Sequence, residues 1–472
     1  MAQAEARMDR AMILSLFAMG LAVLIIANDF TALSVSLPDI EQDLESDLTT
    51  VQWVINGYAL VFGVLIVTGG RLADMFGRRR IFFVGATIFA TFSVLGGFAP
   101  NIGWLLACRA LMAVGGAMVW PAILGMTYAI LPESKAGLAG GLILGAAGFG
   151  NAVGPMLGGF LTDTLSWRWV FFVNLPIAGF AILVTWRAVH VAEPVTTERG
   201  IDYRGIACLS TGLLAVLLAL DQGTDEGFAD PPIVALFALA GILLVGFALL
   251  ELRGTASALV PRDVMTNRQF AAACLVTLMI SAIFFAALLY LPQFMQKELG
   301  YSPLEAGAGL LPMMGTFAAV SFASGPLYAR LGPKRIVSVG AAFLAVGIFL
   351  LSLVDEGSGY GSLIPGMVVL GIGVGTFYSS ITTAGVTALD ESRASLAGGI
   401  VYMFQIAGGS VGLGLNTAIV ASADSLAEGI ETAFRVDAAL AVVGLVIALF
   451  YVGGAVNADR LRTLRWHHRA HA

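Results

Sequence analysis

Long apolar runs separated by short polar intervals dominate the pattern of this 472-residue chain. The runs are about twenty residues or more, which is long for strands and enough to carry a helix across a hydrocarbon core of about 30 Å. Read in order, they fall near 11–37, 51–73, 81–99, 102–123, 136–163, 167–189, 204–221, 231–251, 269–294, 303–328, 335–354, 360–385, 394–421 and 434–456. That pattern predicts fourteen transmembrane helices, an even count that returns both chain ends to one side. The opening segment MAQAEARMDR is polar and has no small-residue cleavage site before the first run, so that run is expected to be a retained span.

Composition strengthens this reading. The chain is 58% hydrophobic and 12% charged, with a mean hydropathy of +0.88, whereas ordinary soluble domains carry roughly 25% charged residues. An all-α polytopic membrane protein follows, and 57 glycines suit helices that approach closely through small side chains. Lys and Arg mark the cytoplasmic side of membrane proteins. All but four of the 25 fall on the side holding Gly69 to Arg80; Arg168, Lys297 and Arg435 lie on the other side and Arg109 lies inside a span. The opposite loops are acidic, as in Asp39, Glu41, Asp43, Glu45 and Asp47. Both termini are therefore expected in the cytoplasm and the chain in the plasma membrane, its net charge of −6 reflecting loop placement rather than an acidic partner. Cys108, Cys208 and Cys274 are dispersed in apolar runs and give neither a disulfide framework nor metal spacing. His190 ends a span, and His467, His468 and His471 read as part of a solvated tail.

An internal repeat organises the runs. GRLADMFGRRR at Gly70–Arg80 lines up with GPLYARLGPKR at Gly325–Arg335, and Ala136–Gly141 lines up with Ala394–Gly399 at nearly the same offset. Two parallel six-helix bundles follow, residues 1–195 and 261–472, with an inserted helix pair within 196–260. Parallel repeats place a substrate site at their interface near mid-membrane.

These residues resemble the major facilitator superfamily, specifically its fourteen-span branch of drug:proton antiporters, over essentially the whole chain. Gly70–Arg80 resembles the superfamily's cytoplasmic motif after the second span. Gly150-Asn151-Ala152-Val153-Gly154-Pro155-Met156-Leu157-Gly158-Gly159 resembles the fifth-span antiporter motif. Asn28-Asp29-Phe30-Thr31 through Leu37-Pro38 is similar to the branch's first-span signature, Trp167–Phe171 to its sixth-span opening, and Arg109 with Gly115-Gly116 to its fourth-span arginine motif. Ser34 stands where the branch usually has asparagine, and Leu413 aligns with Pro155 in the second half.

Ionisable groups within a span are costly and mark pathways or proton relays. Asp29 precedes Pro38 by nine residues, roughly 13 Å, and Arg109 follows Asn101 by eight, roughly 12 Å, so the two can face each other at one depth. They are the proton-coupling candidates, a fixed structural pair being the alternative. Asp163, Asp221, Glu251 and Asp437 fall at span ends, which leaves Asp29 as proton carrier by elimination. Gly150, Gly154 and Gly158 form one stripe beside Pro155 and Gly159, expected as a close-packed seam between the halves. In the opening loop, Gly70, Arg71, Asp74, Gly77, Arg78 and Arg79 form a candidate cytoplasmic gate. Asp74 suits a helix N-terminus, and the resemblance implies the helix beginning near Arg393 and Ala394. The resemblance also implies that the spans carrying Asn56, Tyr58, Tyr290 and Gln293, and those carrying Phe377, Tyr378, Tyr402 and Gln405, line the substrate cavity.

The resemblance thus implies a proton-coupled exporter of lipophilic or cationic small molecules working by alternating access. A same-fold symporter or facilitator that imports a metabolite is the alternative. No GxxxxGK[ST] motif or sizeable soluble domain points to ATP, and no cluster of His, Asp or Cys within the spans points to an enzyme. No cofactor is expected beyond the proton gradient. The expected partners are a small-molecule substrate, protons and membrane lipid, with no nucleic acid, around a monomer.

Overall fold

The computed structural model describes residues 10–46, 48–131, 135–189, 202–253, 258–355 and 357–452. The N-terminal segment before Arg10, Asp47, His190 and the tail with His467, His468 and His471 lie outside the described residues. Among the described residues every regular element is helical. In order they are α1 Arg10–Ala32, α2 Leu37–Asp43, α3 Leu48–Phe76, α4 Arg78–Gly97, α5 Ile102–Ile130, α6 Ala136–Thr164, α7 Arg168–Phe172, α8 Asn174–Ala188 and α9 Tyr203–Glu226. There follow α10 Pro231–Leu252, α11 Arg262–Met265, α12 Arg268–Lys297, α13 Pro303–Gly309, α14 Leu311–Leu331, α15 Pro333–Leu351, α16 Tyr360–Val386, α17 Ala394–Ala421 and α18 Leu426–Tyr451.

Among the described residues thirteen helices are long and apolar enough to cross a membrane. The fourteenth expected span, 303–328, is divided at Leu310. Ser302 and Glu305 start α13 with reciprocal side-chain to backbone bonds. Pro312 then has no N–H to offer the carbonyl four residues back, and the chain restarts as α14. At 21 residues α14 is still about 31 Å long, and it packs between α6 and α16.

Two clusters of helices result. In one, α3, α4 and α5 interlock while α1 packs on α6 and α8; in the other, α12 packs on α17 and α18, and α15 and α14 pack on α16. They meet where α3 lies on α17 and where α6 lies on α14. Because the sequence repeat pairs α3 with α14 and α6 with α17, these are one contact made twice. Both are backbone-close. A Cβ on Gly70 would sit 2.6 Å from the Ser395 carbonyl oxygen, and one on Gly141 would sit 2.5 Å from that of Ser321, so only glycine permits the approach.

The pair α9 and α10 stands beside these clusters. Of the two, α9 reaches α3 and α17, while α10 rests chiefly on α9 and leaves Val234, Ile242, Val245 and Leu249 exposed. A contiguous apolar face of that kind belongs against lipid rather than water.

Candidate functional site

Asp29, near the end of α1, and Arg109, eight residues from the Asn101 cap of α5, form an ion pair in which both side chains are fully buried. Three further helices hold it. The Arg109 Nε donates to the Val54 carbonyl of α3 at 2.7 Å, and its guanidinium carbon lies 4.1 Å from the centroid of the Tyr58 ring. On the other side, Asn174 Nδ2 of α8 donates to Asp29 Oδ1 at 3.2 Å and to Ser93 Oγ of α4 at 3.0 Å. Ser93 in turn donates to the Phe171 carbonyl at 2.8 Å. Burying two ions costs several kcal/mol each unless hydrogen bonds complete the pair. Here both carboxylate oxygens are occupied, while Arg109 Nη2 and Asn174 Oδ1 have no partner. The pair is well held but leaves room for exchange of partners.

Beside it, between the two clusters, lies a cavity of about 490 Å³. Its lining combines the halves of α1, α3 and α12 that point away from Gly69–Arg80 with Trp120 of α5, Leu144 and Ala147 of α6 and Tyr402 and Gln405 of α17 near mid-helix, so it runs from the middle of the molecule toward the acidic face. Phe30, Trp120, Phe284, Phe317 and Tyr402 give it aromatic walls, and Thr31, Asn56, Asn151, Gln405, Ser410 and Thr417 supply polar atoms. None of the lining residues is charged. Trp120 and Tyr402 bring the two clusters together with ring centroids 4.5 Å apart. Phe30 connects the cavity to the ion pair, its ring 4.8 Å from that of Tyr58.

Of the eight side chains expected at the cavity, Asn56, Tyr402 and Gln405 line it; Tyr58, Tyr290, Gln293, Phe377 and Tyr378 do not. Tyr58 is fully buried beneath Arg109. Tyr290 stands one residue back, its hydroxyl 2.9 Å from that of the lining residue Thr417. Gln293 is half-buried a turn further along α12. Tyr378 donates to Ser281 Oγ at 2.9 Å behind Phe284, and the backbone of Phe377 lies against Gly340 of α15. Helix membership alone does not say which face points inward. Sequence reasoning missed Leu217, Leu218 and Leu220 of α9, through which the inserted pair forms part of the cavity wall.

On the basic face, α3 meets the N-terminus of α17. Asp74 Oδ2 accepts from the Leu396 N–H at 2.8 Å and Oδ1 accepts from the Ser395 N–H at 3.3 Å. These are orphan donors of the first helical turn, where a carboxylate is favoured. Arg78 is fully buried and holds Asp74 from the side, its Nε donating to Oδ1 at 3.1 Å. Its two Nη atoms donate to the carbonyls of Gly125, at 3.0 Å, and Glu391. Gly77, at φ 100°, makes the turn that brings Arg78 back to Asp74. Arg71 is buried beside Gly70, and Arg79 donates to the Trp186 carbonyl at 2.7 Å.

The glycine stripe expected between the halves faces elsewhere. Cβ atoms on Gly150, Gly154 and Gly158 would meet Leu24 O, Thr31 Oγ1 and Ala32 O at 2.5, 2.0 and 2.0 Å, all on α1 in the same cluster. The contact between halves uses Gly137, Gly141, Gly145 and Gly148, set against Gly325, Ser321, Phe322 and Phe317 of α14. Gly148 and Gly150 differ by about 200° around the helix, so the two stripes look in opposite directions. Pro155 removes the N–H that would serve the Asn151 carbonyl, and the Thr31 hydroxyl donates to that carbonyl instead at 3.3 Å. Gly159 is buried on the same helix.

Two features lie outside the expected set. Asp43 on α2 pairs with Arg168 and accepts from Trp167 Nε1 at 3.1 Å, and the Arg168 hydrogen bond holds this carboxyl below its ordinary value. Asp437 is fully buried and about 16 Å along α18, not at a span end, because α18 begins at Leu426 rather than 434. Asp29 is therefore not singled out by elimination. Among the described residues no three His, Cys, Asp or Glu gather as a metal site would need.

A family model described as Major Facilitator Superfamily matches residues 19–413 and again 273–463. The puromycin resistance protein of Streptomyces alboniger is 33% identical over 452 residues, covering 92% of this chain and 87% of that one. The tetracenomycin C resistance and export protein of Streptomyces glaucescens is 30% identical over 409 residues, covering 86% and 76%. In fold, the human organic anion transporter MFSD10 (TETRAN) superposes with a TM-score of 0.69 at 13% identity, over 92% of this chain and 99% of that one. With two clusters of spanning helices around a buried ion pair and a central cavity, this chain belongs to the major facilitator superfamily and is an integral membrane transporter rather than an enzyme.

Proposed function

We propose that the chain is a proton-coupled exporter of lipophilic or cationic small molecules, of the fourteen-span drug:proton antiporter branch. The observation that carries this reading is the fully buried Asp29–Arg109 pair standing behind an uncharged, aromatic-walled cavity. Such a cavity accepts amphipathic compounds and gives few partners to a strongly polar one such as a sugar. The names of the puromycin and tetracenomycin C relatives support the outward direction.

In the proposed cycle, residues 1–195 and 261–472 rock as two bundles about the cavity, while 196–260 carries the inserted pair. The basic face and both termini are cytoplasmic. With Asp74 shutting the α3–α17 contact and the cavity running toward the acidic face, the conformation described is the outward-facing one. A proton from outside neutralises Asp29 and weakens its hold on Arg109. That changes the packing of α1 against α5 and favours opening on the cytoplasmic face, where the proton is lost and substrate loads. Coupling follows if the two charge states of Asp29 prefer the two conformations by a few kcal/mol.

The test uses everted membrane vesicles with an acidified lumen and radiolabelled puromycin. An exporter of this kind drives puromycin into the lumen, alkalinises it, and stops when nigericin collapses the gradient. Puromycin leaving the lumen together with protons would replace this reading with the symport one.

A further inference from the structure

Asp437 of α18 is the one buried carboxylate of the spanning helices, among the described residues, that the cycle above does not use and that lies in the second cluster. Its side chain is fully buried. Oδ1 accepts from Asn416 Nδ2 of α17 at 3.2 Å, and Oδ2 has no partner. Asn416 is itself oriented, since Nδ2 also donates to the Gly412 carbonyl at 2.8 Å, which leaves Asn416 Oδ1 without a donor. Two acceptor atoms of one contacting pair are thus both unsatisfied. A proton on Asp437 would turn one of these idle acceptors into a donor, which a neutral carboxyl can be and a carboxylate cannot.

The surroundings offer no alternative. From α12 the neighbouring titratable group is Tyr290, whose hydroxyl is engaged with Thr417 of α17. From α15 the charged groups are Lys334 and Arg335, at the opposite, basic end of that helix. On α18 itself, Arg435 pairs with Glu431 at the surface, and Glu428 lies in the exposed first turn. No Lys or Arg pairs with Asp437 among the described residues, in contrast to Asp29. Thr417 lines the cavity, so the Tyr290–Thr417 hydroxyl pair stands between Asp437 and the space that water and substrate enter.

We propose that Asp437 is a second proton-binding site, loaded in this conformation and reached from the cavity through Thr417 and Tyr290. Its part in transport rests on the antiport reading; its protonation does not. The purified full chain, reconstituted in lipid and titrated while infrared difference spectra are taken, should show the carbonyl stretch of a neutral carboxylic acid. That band is lost in Asp437→Asn and reappears at a shifted position in Asp437→Glu. Comparison of wild type with Asp437→Glu identifies the band even where the Asn variant does not yield a monodisperse protein. In proteoliposomes with ethidium as probe, the ratio of protons to ethidium falls in Asp437→Asn and is restored in Asp437→Glu. An unchanged band in the variants overturns the proton site, and an unchanged ratio overturns its role in coupling. A wild type that moves ethidium without protons would remove the antiport reading while the infrared band still decides the state of Asp437.

Discussion

Replacing Asp74 by Asn isolates the contact between the halves on the basic face. Its bond to Arg78 lies within one cluster and bears on the interface only by aiming Arg78 at the Glu391 carbonyl. The two N–H donors of Ser395 and Leu396 lie across the interface and are met only when α3 and α17 are together. A capping carboxylate of this kind stabilises by about 1–2 kcal/mol. Asn keeps one acceptor oxygen but not the charge, so the shut gate should lose the charge-dependent part, about 0.3–1 kcal/mol, shifting the balance toward separation about 2- to 5-fold. Spin labels at Phe76→Cys on α3 and Glu391→Cys before α17, with Cys208 replaced by Ser, report the distance by electron double resonance. A short-distance population that gives way to a longer one in Asp74→Asn is expected, with slower turnover and retained substrate binding. Identical distance distributions would refute the reasoning, and a lost binding signal would make Asp74 part of the substrate site.

Asp29→Asn is expected to abolish pH-driven ethidium extrusion in vesicles while equilibration down ethidium's own gradient persists; normal pH-driven transport would move coupling elsewhere. Gly141→Val puts side-chain atoms into the α6–α14 contact and should cost the shut conformation about 1–3 kcal/mol, read as a shifted label distance between those helices. Gly154→Ala, directed at Thr31 within one cluster, should instead lower the melting temperature and leave that distance unchanged. Asp43 has a lowered carboxyl pKa through Arg168. Its small contribution is complete above the ordinary carboxylate range and fades as pH falls through the lowered value. Melting curves of wild type and Asp43→Asn should therefore converge in acid and separate towards neutral pH.

Span positions, the repeat and the ion pair were legible because each is written in composition or spacing. Apolar length fixes where a helix can cross, and the residue count from each span end put Asp29 and Arg109 at one depth. The Asp74 contact was legible only in part: a carboxylate suits a helix start, but the partner helix beginning near Ala394 came from the family resemblance and not from spacing. Rotation about the helix axis was not. Gly150, Gly154 and Gly158 announce a close approach but not the partner, and α6 carries two such stripes. Tyr378 and Phe377 sit on α16, which gives no residue to the cavity wall. Asp437 was misplaced because α18 starts in the polar stretch LAEGIETAF, which an apolar-run reading assigns to a loop. The split at Leu310 depends on Pro312, a local backbone event that average hydropathy hides.

The leucines of α9 on the cavity wall give the inserted pair a consequence for any attempt to shorten the chain. Excision of residues 203–252 would not yield a smaller transporter with the same chamber. The gap beside α3 and α17 would face acyl chains directly, and lipid would compete with cargo through a side entrance. What the chamber admits is therefore set in part by a segment that stands outside the repeated architecture.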